Sequence, residues 1–284
     1  MKRRFSSFSL IFLSIVILLQ LTPVASAYED NTNRYLNLGF SLSEIKDFTE
    51  VDRNYLNGLD GDLVLKSEKY FQITEHGDAI EVPKQLALRE SADALNNQQF
   101  GVMSSSSWLR MDLTVSQLST KTPKEFLFKN SFQWLTEPNF TLEDVVAITH
   151  PEHFSHVNNS EIFKYTYDTY TNMLPPSYVG TKDVYQWDAN RNNTYGMAFV
   201  YDLLGSDRDG LGNKLIVRNN RGYMAYRVTL NNNTYFQGSA HAHYAHTQYG
   251  ITGLSIDLMS GSLSLSGAIS VDYADDVGKT FDIE

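Results

Sequence analysis

Beyond residue 107 the sequence alternates between apolar and polar side chains with a period of two, and this pattern constrains the fold more than any other feature. The alternation runs through residues 109–116, 163–168 and 223–230. Successive side chains of a β-strand point to opposite faces of its sheet, so each segment predicts a strand with one apolar and one solvated face. Residues 194–204 are apolar on both faces, which predicts a central strand covered on both sides.

The sequence near the C-terminus predicts a β-hairpin. A two-residue turn at 260–261 would pair Leu258 with Leu263. The same turn would pair Ile256 with Leu265, which keeps the apolar side in register across both strands. The many short strand segments follow one another without helical patterns between them. We therefore predict a mainly β fold, with an antiparallel β-sandwich over residues 104–284.

Residues 28–103 carry helix signals and predict a small mixed α/β region before the sandwich. Ser41 and Glu44 have the spacing of a capping box, which predicts a helix over about 42–49. Pro83 occupies the first-turn position of a second helical pattern. Between these helices, residues 62–74 favour one or two strands.

Residues 1–27 have the three parts of a secretory signal peptide. A cationic start at 2–4 precedes an apolar run at 10–21, and small residues stand at Ala25 and Ala27. The apolar run is shorter than the roughly 20 residues that a membrane-spanning helix needs. We expect cleavage after Ala27, a secreted extracellular protein, and no stable membrane anchor.

The charge balance argues against a nucleic-acid partner. The chain has a formal net charge of −10, and loss of Lys2, Arg3 and Arg4 with the signal peptide would leave −13. Affinity for nucleic acid comes largely from neutralisation of phosphates by Lys and Arg, which an acidic chain does not provide.

The sequence contains no cysteine, so its stability must come from the core and not from disulfides.

Six of the seven histidines fall into two groups, at 150–156 and 241–246. On a strand, His241 and His243 share one face while His246 points to the other. A zinc site needs three or four ligands, so the candidates are His241 and His243 together with His150 and His153 from the first group. The alternative is that these imidazoles are ordinary half-exposed strand residues bonded to neighbours.

Residues 205–214 match the later half of a calcium-binding loop. Asp207, Asp209 and Asn213 occupy ligand positions, but Gly205 stands where the first oxygen ligand should be. A glycine-rich turn between two strands explains the same residues without a cation. No cofactor is expected on this basis, with zinc and calcium as the alternatives.

Tyrosine is abundant, and several tyrosines fall on alternate strand positions. If they are exposed, they favour recognition of sugars or proteins, and if they are buried they serve packing. The residues are Tyr165, Tyr167, Tyr223, Tyr235 and Tyr244.

The Ser-rich segment 255–271 alternates apolar and polar residues as a membrane-inserting hairpin would, although an ordinary sandwich hairpin has the same pattern.

No nucleophile elbow, zinc-protease motif or phosphate-binding glycine loop is found in the sequence, and no catalytic residue can be assigned.

Four strings of the sequence are distinctive: SSWLRM at 106–111, NSFQWL at 130–135, NRGYMAYR at 220–227 and HAHYAHT at 241–247. With them the chain resembles a loosely defined group of secreted proteins from Gram-positive bacteria. These proteins share an Arg-Gly-Tyr strand, a His-Tyr-Ala-His-Thr strand and a Ser-rich terminal hairpin, and the likeness covers roughly residues 35–273. The resemblance implies an exported bacterial protein, and it carries no assigned activity.

Three hypotheses of function follow from the sequence. The first is a non-enzymatic module that recognises an extracellular or cell-surface ligand. The second is a metal-binding protein or metal-dependent enzyme that uses the two histidine groups. The third is a β-type pore-forming or antibacterial toxin that inserts the terminal hairpin.

Overall fold

The structure is a computed structural model that describes residues 31–75, 78–98, 106–119, 123–232, 234–247, 255–266 and 271–283. The predicted signal peptide, residues 1–27, lies outside the described residues. The chain divides at Gly61 into two compact units, a small N-terminal one and a larger one that runs from Asp62.

The described part of the smaller unit is helical. Helix α1 covers 31–37, α2 covers Leu42–Lys46 and α3 covers Glu50–Tyr55. The predicted capping box at the start of α2 is confirmed, because the Ser41 backbone N–H donates to the Glu44 carboxylate at 2.7 Å and the Glu44 N–H donates to Ser41 Oγ. The sequence analysis did not single out a second capping box, which Thr49 forms with Asp52 at the start of α3.

The larger unit is built almost entirely of strands. Its described elements are helix α4 (Lys84–Gln98) and the strands β1 (Gly61–Thr74), β2 (Ala79–Val82), β3 (Ser106–Leu118), β4 (Glu125–Trp134), β5 (Glu143–Thr149), β6 (Phe154–His156), β7 (Ile162–Thr171), β8 (Tyr178–Gln186), β9 (Arg191–Asn193), β10 (Gly196–Asp202), β11 (Ser206–Arg208), β12 (Lys214–Leu230), β13 (Gln237–Thr247), β14 (Ser255–Met259), β15 (Ser262–Ser266) and β16 (Val271–Asp282).

These strands form two main sheets and a separate hairpin. The first sheet has the order β2-β1-β3-β4-β12-β7-β8, with β6 and β11 also paired to β12, and the second has the order β16-β13-β5-β10-β9. Every pairing whose register is described is antiparallel. The prediction of a mainly β, antiparallel sandwich-like fold is confirmed.

The apolar positions of the alternating segments meet between the two sheets. From the first sheet come the apolar side chains of β3 together with Phe128, Phe132 and Met224, and from the second come Ile148 and Phe199. Burial of large apolar side chains stabilises such a core by about 1.5–3 kcal/mol each. The two-residue period therefore identified the inner face of the first sheet correctly.

The opposite face of the first sheet differs from the prediction. Asp112, Thr114 and Ser116 alternate with the core residues of β3, and the pattern predicts that they are solvated. Instead Asp112 is 8% exposed and Ser116 is fully buried. Lys164 and Thr166 of β7 are buried in the same way. The polarity of a face therefore does not imply that the face is in contact with water.

The boundary between the two units also differs from the one predicted near residue 103. In the first sheet β1 lies beside β3, and β2 lies on the other side of β1. Residues 62–98 therefore belong to the larger unit. The helix that follows Pro83 is confirmed as α4, and the single long strand β1 occupies the predicted strand region.

The terminal hairpin has the predicted register. Leu258 pairs with Leu263 and Ile256 pairs with Leu265 across a turn in which Gly261 has φ of 78°. Leu258 and Leu263 pack with Val145 of β5 in a second apolar cluster, on the side of the second sheet that faces away from the main core.

Gly222 in the middle of β12 provides a test of how closely the first sheet is packed. A Cβ at this position would lie 2.3 Å from the Lys164 carbonyl oxygen and 2.9 Å from the Phe132 ring. We expect Gly222→Ala to lower the free energy of unfolding by about 3 kcal/mol, because neither the strand backbone nor the buried ring can move away cheaply. Urea denaturation measures the change.

Gly180 on β8 is the matched control, since a Cβ there would meet nothing within 4 Å. Gly180→Ala should change stability by no more than about 0.5 kcal/mol. Equal effects of the two substitutions would contradict the packing described for β12.

Candidate functional site

The histidines of β13 divide between the two faces of the second sheet. His243 is buried on the side of the hairpin, where its Nε2 lies 2.8 Å from Thr149 Oγ1. His241 packs over Gly278 on the neighbouring strand, so closely that a Cβ at Gly278 would lie 2.0 Å from its Nδ1. His246 points to the main core. The strand alternation predicts this division of His241 and His243 from His246.

Asp144 of β5 is fully buried on the core side and accepts hydrogen bonds from three groups of β13. Two of the donors are the Tyr244 hydroxyl and the Thr247 backbone N–H, which lies 3.3 Å from the carboxylate. His246 Nδ1 lies 2.9 Å from Asp144 Oδ1, and it carries a proton because a carboxylate can only accept. Since a buried polar group without partners destabilises a fold by about 1–3 kcal/mol, these contacts fix β5 against β13.

The Tyr244 hydroxyl extends this network into two further strands. Trp134 Nε1–H of β4 donates to it at 2.9 Å, and the Tyr201 hydroxyl of β10 lies 2.7 Å away. Tyr244 gives its own hydrogen to Asp144, so Tyr201 must donate to Tyr244. Burial raises the pKa of both tyrosines well above the ordinary value, and neither can act as a phenolate nucleophile near neutral pH. The network thus joins the two sheets through Trp134 of β4 and Tyr244 of β13.

The first histidine group forms a pair. His150 Nε2 lies 3.0 Å from His156 Nε2, and His156 Nδ1 lies 2.7 Å from Asn192 Oδ1. His153 does not join this pair, because its ring stacks on Tyr235 with centroids 4.4 Å apart. Burial is the main cause that lowers the pKa of all three imidazoles, so the pair is neutral at physiological pH.

The predicted zinc ligands are not brought into one group. His150 contacts His156, His243 contacts Thr149, His153 stacks on Tyr235 and His241 packs over Gly278. Within the part of the chain that the structure describes, no three His, Asp or Glu side chains are placed to bind one ion.

The predicted calcium ligands have other partners as well. Asp207 pairs with Lys182 at 2.5 Å and accepts from the Tyr167 hydroxyl. Asp209 accepts from the backbone N–H groups of Leu211 and Asn213, and the Asn213 amide donates to its second oxygen. Because N–H donors occupy both oxygens of Asp209, the segment is built as a hydrogen-bonded turn between β11 and β12, and it does not gather these carboxylates around a cation.

The exposed apolar side chains concentrate at the edge of the first sheet. Tyr165, Tyr167, Tyr223 and Tyr244 are buried, so packing explains those four, and only Tyr235 of the predicted set is exposed. A different set of exposed apolar side chains lies on β8 and its flanking loops, which we call the β8 edge: Met173, Leu174, Tyr178, Val179, Val184 and Trp187. Among the described strands, β8 pairs only with β7, so its other side has no strand partner.

The hairpin proposed to insert into membranes is short and packed in this structure. Strands β14 and β15 each contain five residues, fewer than the roughly 9–11 residues of a membrane-spanning strand. Their apolar side lies in the cluster with Val145. Over the described ranges, none of the helices has the length and apolar character needed to cross a bilayer.

The fold and this site define an antiparallel β-sandwich with a buried polar network and an open apolar edge. Comparison with known proteins adds no relative, because no family model and no curated protein matches the chain. The distinctive strings of the sequence do have a structural explanation. Trp134 belongs to NSFQWL, and Tyr244, His246 and Thr247 belong to HAHYAHT, so these strings supply most of the partners around Asp144.

The network around Asp144 predicts unequal effects of two similar substitutions. Tyr244→Phe removes a donor to Asp144 and the acceptor for Trp134, so we expect it to lower the free energy of unfolding by about 3 kcal/mol or more. Tyr201→Phe removes a single donor and should cost about 1 kcal/mol. Chemical denaturation of both variants distinguishes the two effects, and equal small losses would contradict the arrangement.

Burial of His150 predicts a loss of stability in acid. Burial lowers its pKa to about 3, whereas the unfolded chain binds a proton below about pH 6.5. The contribution of this neutral ring is therefore complete above about pH 6.5 and decreases as the pH falls toward 3, by up to about 1.4 kcal/mol per pH unit. We expect His150→Gln to reduce the slope of unfolding free energy against pH, measured with a chelator present.

His153→Gln is the control for this experiment. Because His153 is only half-buried, it should contribute less to the change of unfolding free energy with pH. A His150→Gln variant that folds and keeps the full slope would show that another group causes the acid sensitivity.

Proposed function

We propose that this protein is a secreted, non-enzymatic recognition module that binds an extended segment of an extracellular or cell-surface protein along the β8 edge. The observation that carries the proposal is the concentration of exposed apolar side chains in residues 173–187, next to a strand with one free side. Isolated exposed apolar residues are normal on protein surfaces, whereas several of them close together on one strand and its flanking loops favour a binding surface.

The backbone of β8 supports an extended polypeptide as the ligand. A free strand edge presents alternating N–H and C=O groups, and a peptide strand satisfies them by adding to the sheet. At nine residues, β8 is three times as long as β9, which ends the second sheet on its β10 side. The strand at the other end of the second sheet, β16, lies close to β2, so that edge is less open than β8.

The side chains of the β8 edge also favour a polypeptide over a sugar. Four of its six members, Met173, Leu174, Val179 and Val184, are aliphatic and offer no flat face for a pyranose ring. Leu174 is 96% exposed at the β7–β8 turn, where it can enter an apolar pocket of a partner. Apolar pockets for alternate side chains are the usual source of specificity when a strand is added to an edge.

The β8 edge can be tested with random linear peptides displayed on phage and selected on the purified protein. Selected peptides should bind in isothermal titration calorimetry, and Leu174→Ser combined with Val184→Ser should weaken binding by about tenfold or more. Methylation of the peptide backbone nitrogens should weaken binding at every second position, because only alternate N–H groups face the edge strand.

Leu211→Ser is the matched control, since Leu211 is 89% exposed but lies in the turn between β11 and β12. It should leave the affinity unchanged. Peptides whose affinity is insensitive to the β8 substitutions, or a methylation pattern without a two-residue period, would contradict the proposal.

A further inference from the structure

The turn that follows helix α3 contains the one Asn-Gly pair of the sequence, Asn57–Gly58. Leu56 is the C-cap residue of the helix, and the Leu59 backbone N–H donates to the Leu56 carbonyl oxygen at 3.1 Å, which closes a four-residue turn. Gly58 has a φ of 73° in this turn, in the left-handed region that glycine enters readily. Neither the β8 edge nor the network around Asp144 involves these residues.

The turn leaves two groups free that can react with each other. Asn57 and Gly58 are both exposed to solvent. Within the residues that the structure describes, the Asn57 side-chain amide has no hydrogen-bonding partner, and the Gly58 backbone N–H has no acceptor. A Cβ at Gly58 would meet nothing within 4 Å, so the space beside this residue is open.

The structure holds other asparagine side chains in place. Asn130 is fully buried, and its amide donates at 3.0 Å to the carbonyl oxygens of Ala147 and His243. The Asn213 amide donates to Asp209 at 2.8 Å. An amide that is bonded in this way cannot turn toward the nitrogen of the next residue without losing its hydrogen bonds.

We infer that Asn57 is a site of spontaneous deamidation and main-chain isomerisation, with water as the only co-reactant. The Gly58 backbone nitrogen attacks Asn57 Cγ, so that an N–Cγ bond forms and the Cγ–Nδ2 bond breaks. Ammonia leaves with the hydrogen of the backbone N–H, and a five-membered succinimide ring remains. Glycine favours this step because it has no side chain to hinder the approach of its nitrogen.

Hydrolysis of the succinimide ring gives two products. Water that adds at Cγ breaks the new N–Cγ bond and leaves an ordinary aspartate at position 57. Water that adds at the backbone carbonyl carbon breaks the original peptide bond and leaves an isoaspartate, whose main chain runs through the side chain and contains one extra carbon. In both cases the hydroxyl group of water goes to the carbon and its other hydrogen goes to the Gly58 nitrogen, and no atom is oxidised or reduced.

The isoaspartate product alters the fold of the small unit because buried leucines lie on both sides of the turn. Leu56 is fully buried and Leu59 is 7% exposed. One extra main-chain carbon lengthens the path between these two residues, so either a leucine shifts in its close-packed site or the hydrogen bond that closes the turn breaks. The reaction does not depend on the β8 edge, so either proposal can fail without the other.

Storage of the purified protein at neutral pH and body temperature tests the inference. Peptide mapping by mass spectrometry should show that Asn57 loses its side-chain amide at least about tenfold faster than Asn130. The rate should increase with pH, because the backbone nitrogen attacks after it has lost its proton. Asn57→Gln is the matched control, since glutamine must close a larger ring and should keep its amide.

A synthetic peptide of residues 54–62 separates the effect of the turn from that of the sequence. Because the turn leaves both groups free, Asn57 should react in the folded protein within about tenfold of its rate in the peptide. The stored protein should be cleaved severalfold faster by a protease within residues 31–61 than the fresh protein. Asn57→Asp adds the charge without altering the main chain, so its cleavage should match that of the fresh parent.

Three results would overturn the inference. If Asn57 keeps its amide in the folded protein while the peptide reacts, the turn holds the two groups apart. Isoaspartate without loss of an amide would place the reaction at Asp60–Gly61, where the Gly61 N–H donates to the Asp60 carboxylate at 3.0 Å. Equal cleavage of the stored protein and of Asn57→Asp would show that the extra main-chain carbon does not disturb the small unit.

Discussion

The buried carboxyl group of Asp144 constrains the structure more than any single apolar contact. A carboxyl group in the core is tolerated only when its oxygens accept hydrogen bonds, and the donors here come from β13 directly and from β4 and β10 through Tyr244. Hydrophobic burial has no preferred direction, whereas these directional bonds select one arrangement of strands. The network therefore fixes how β4 of the first sheet lies against β13 of the second.

Local chemistry explains the parts of the fold that can be predicted from the sequence. The capping box of Ser41 and Glu44 involves residues three positions apart, and the hairpin register at 260–261 follows from its turn. The inner face of β3 follows from the period of its side chains. The burial of Asp112 and the place of β1 in the sheet could not be predicted, because both depend on segments that are distant in the sequence and that leave no mark on the local pattern.

The same distinction applies to the candidate sites. Alternation alone predicts that His246 is separated from His241 and His243, but its partner Asp144 lies 102 residues away. The sequence analysis named His150 and His153 as the candidate ligands from the first histidine group. The turn after β5 instead brings His156 to His150, and Asn192 reaches the pair from 36 residues beyond His156. A cluster of histidines in a sequence thus indicates where imidazoles are, but the bonds of each ring decide what they do.

Strand β8 also determines how the protein behaves at high concentration. An open edge of this kind can pair with the same edge of another molecule, which leads to aggregation if nothing opposes it. The chain carries 33 acidic and 23 basic residues, so neighbouring molecules repel one another. Dissolved salt limits that repulsion to a range of roughly 8 Å at physiological ionic strength. The colloidal stability of the protein is therefore set by the ions around it as much as by its own surface.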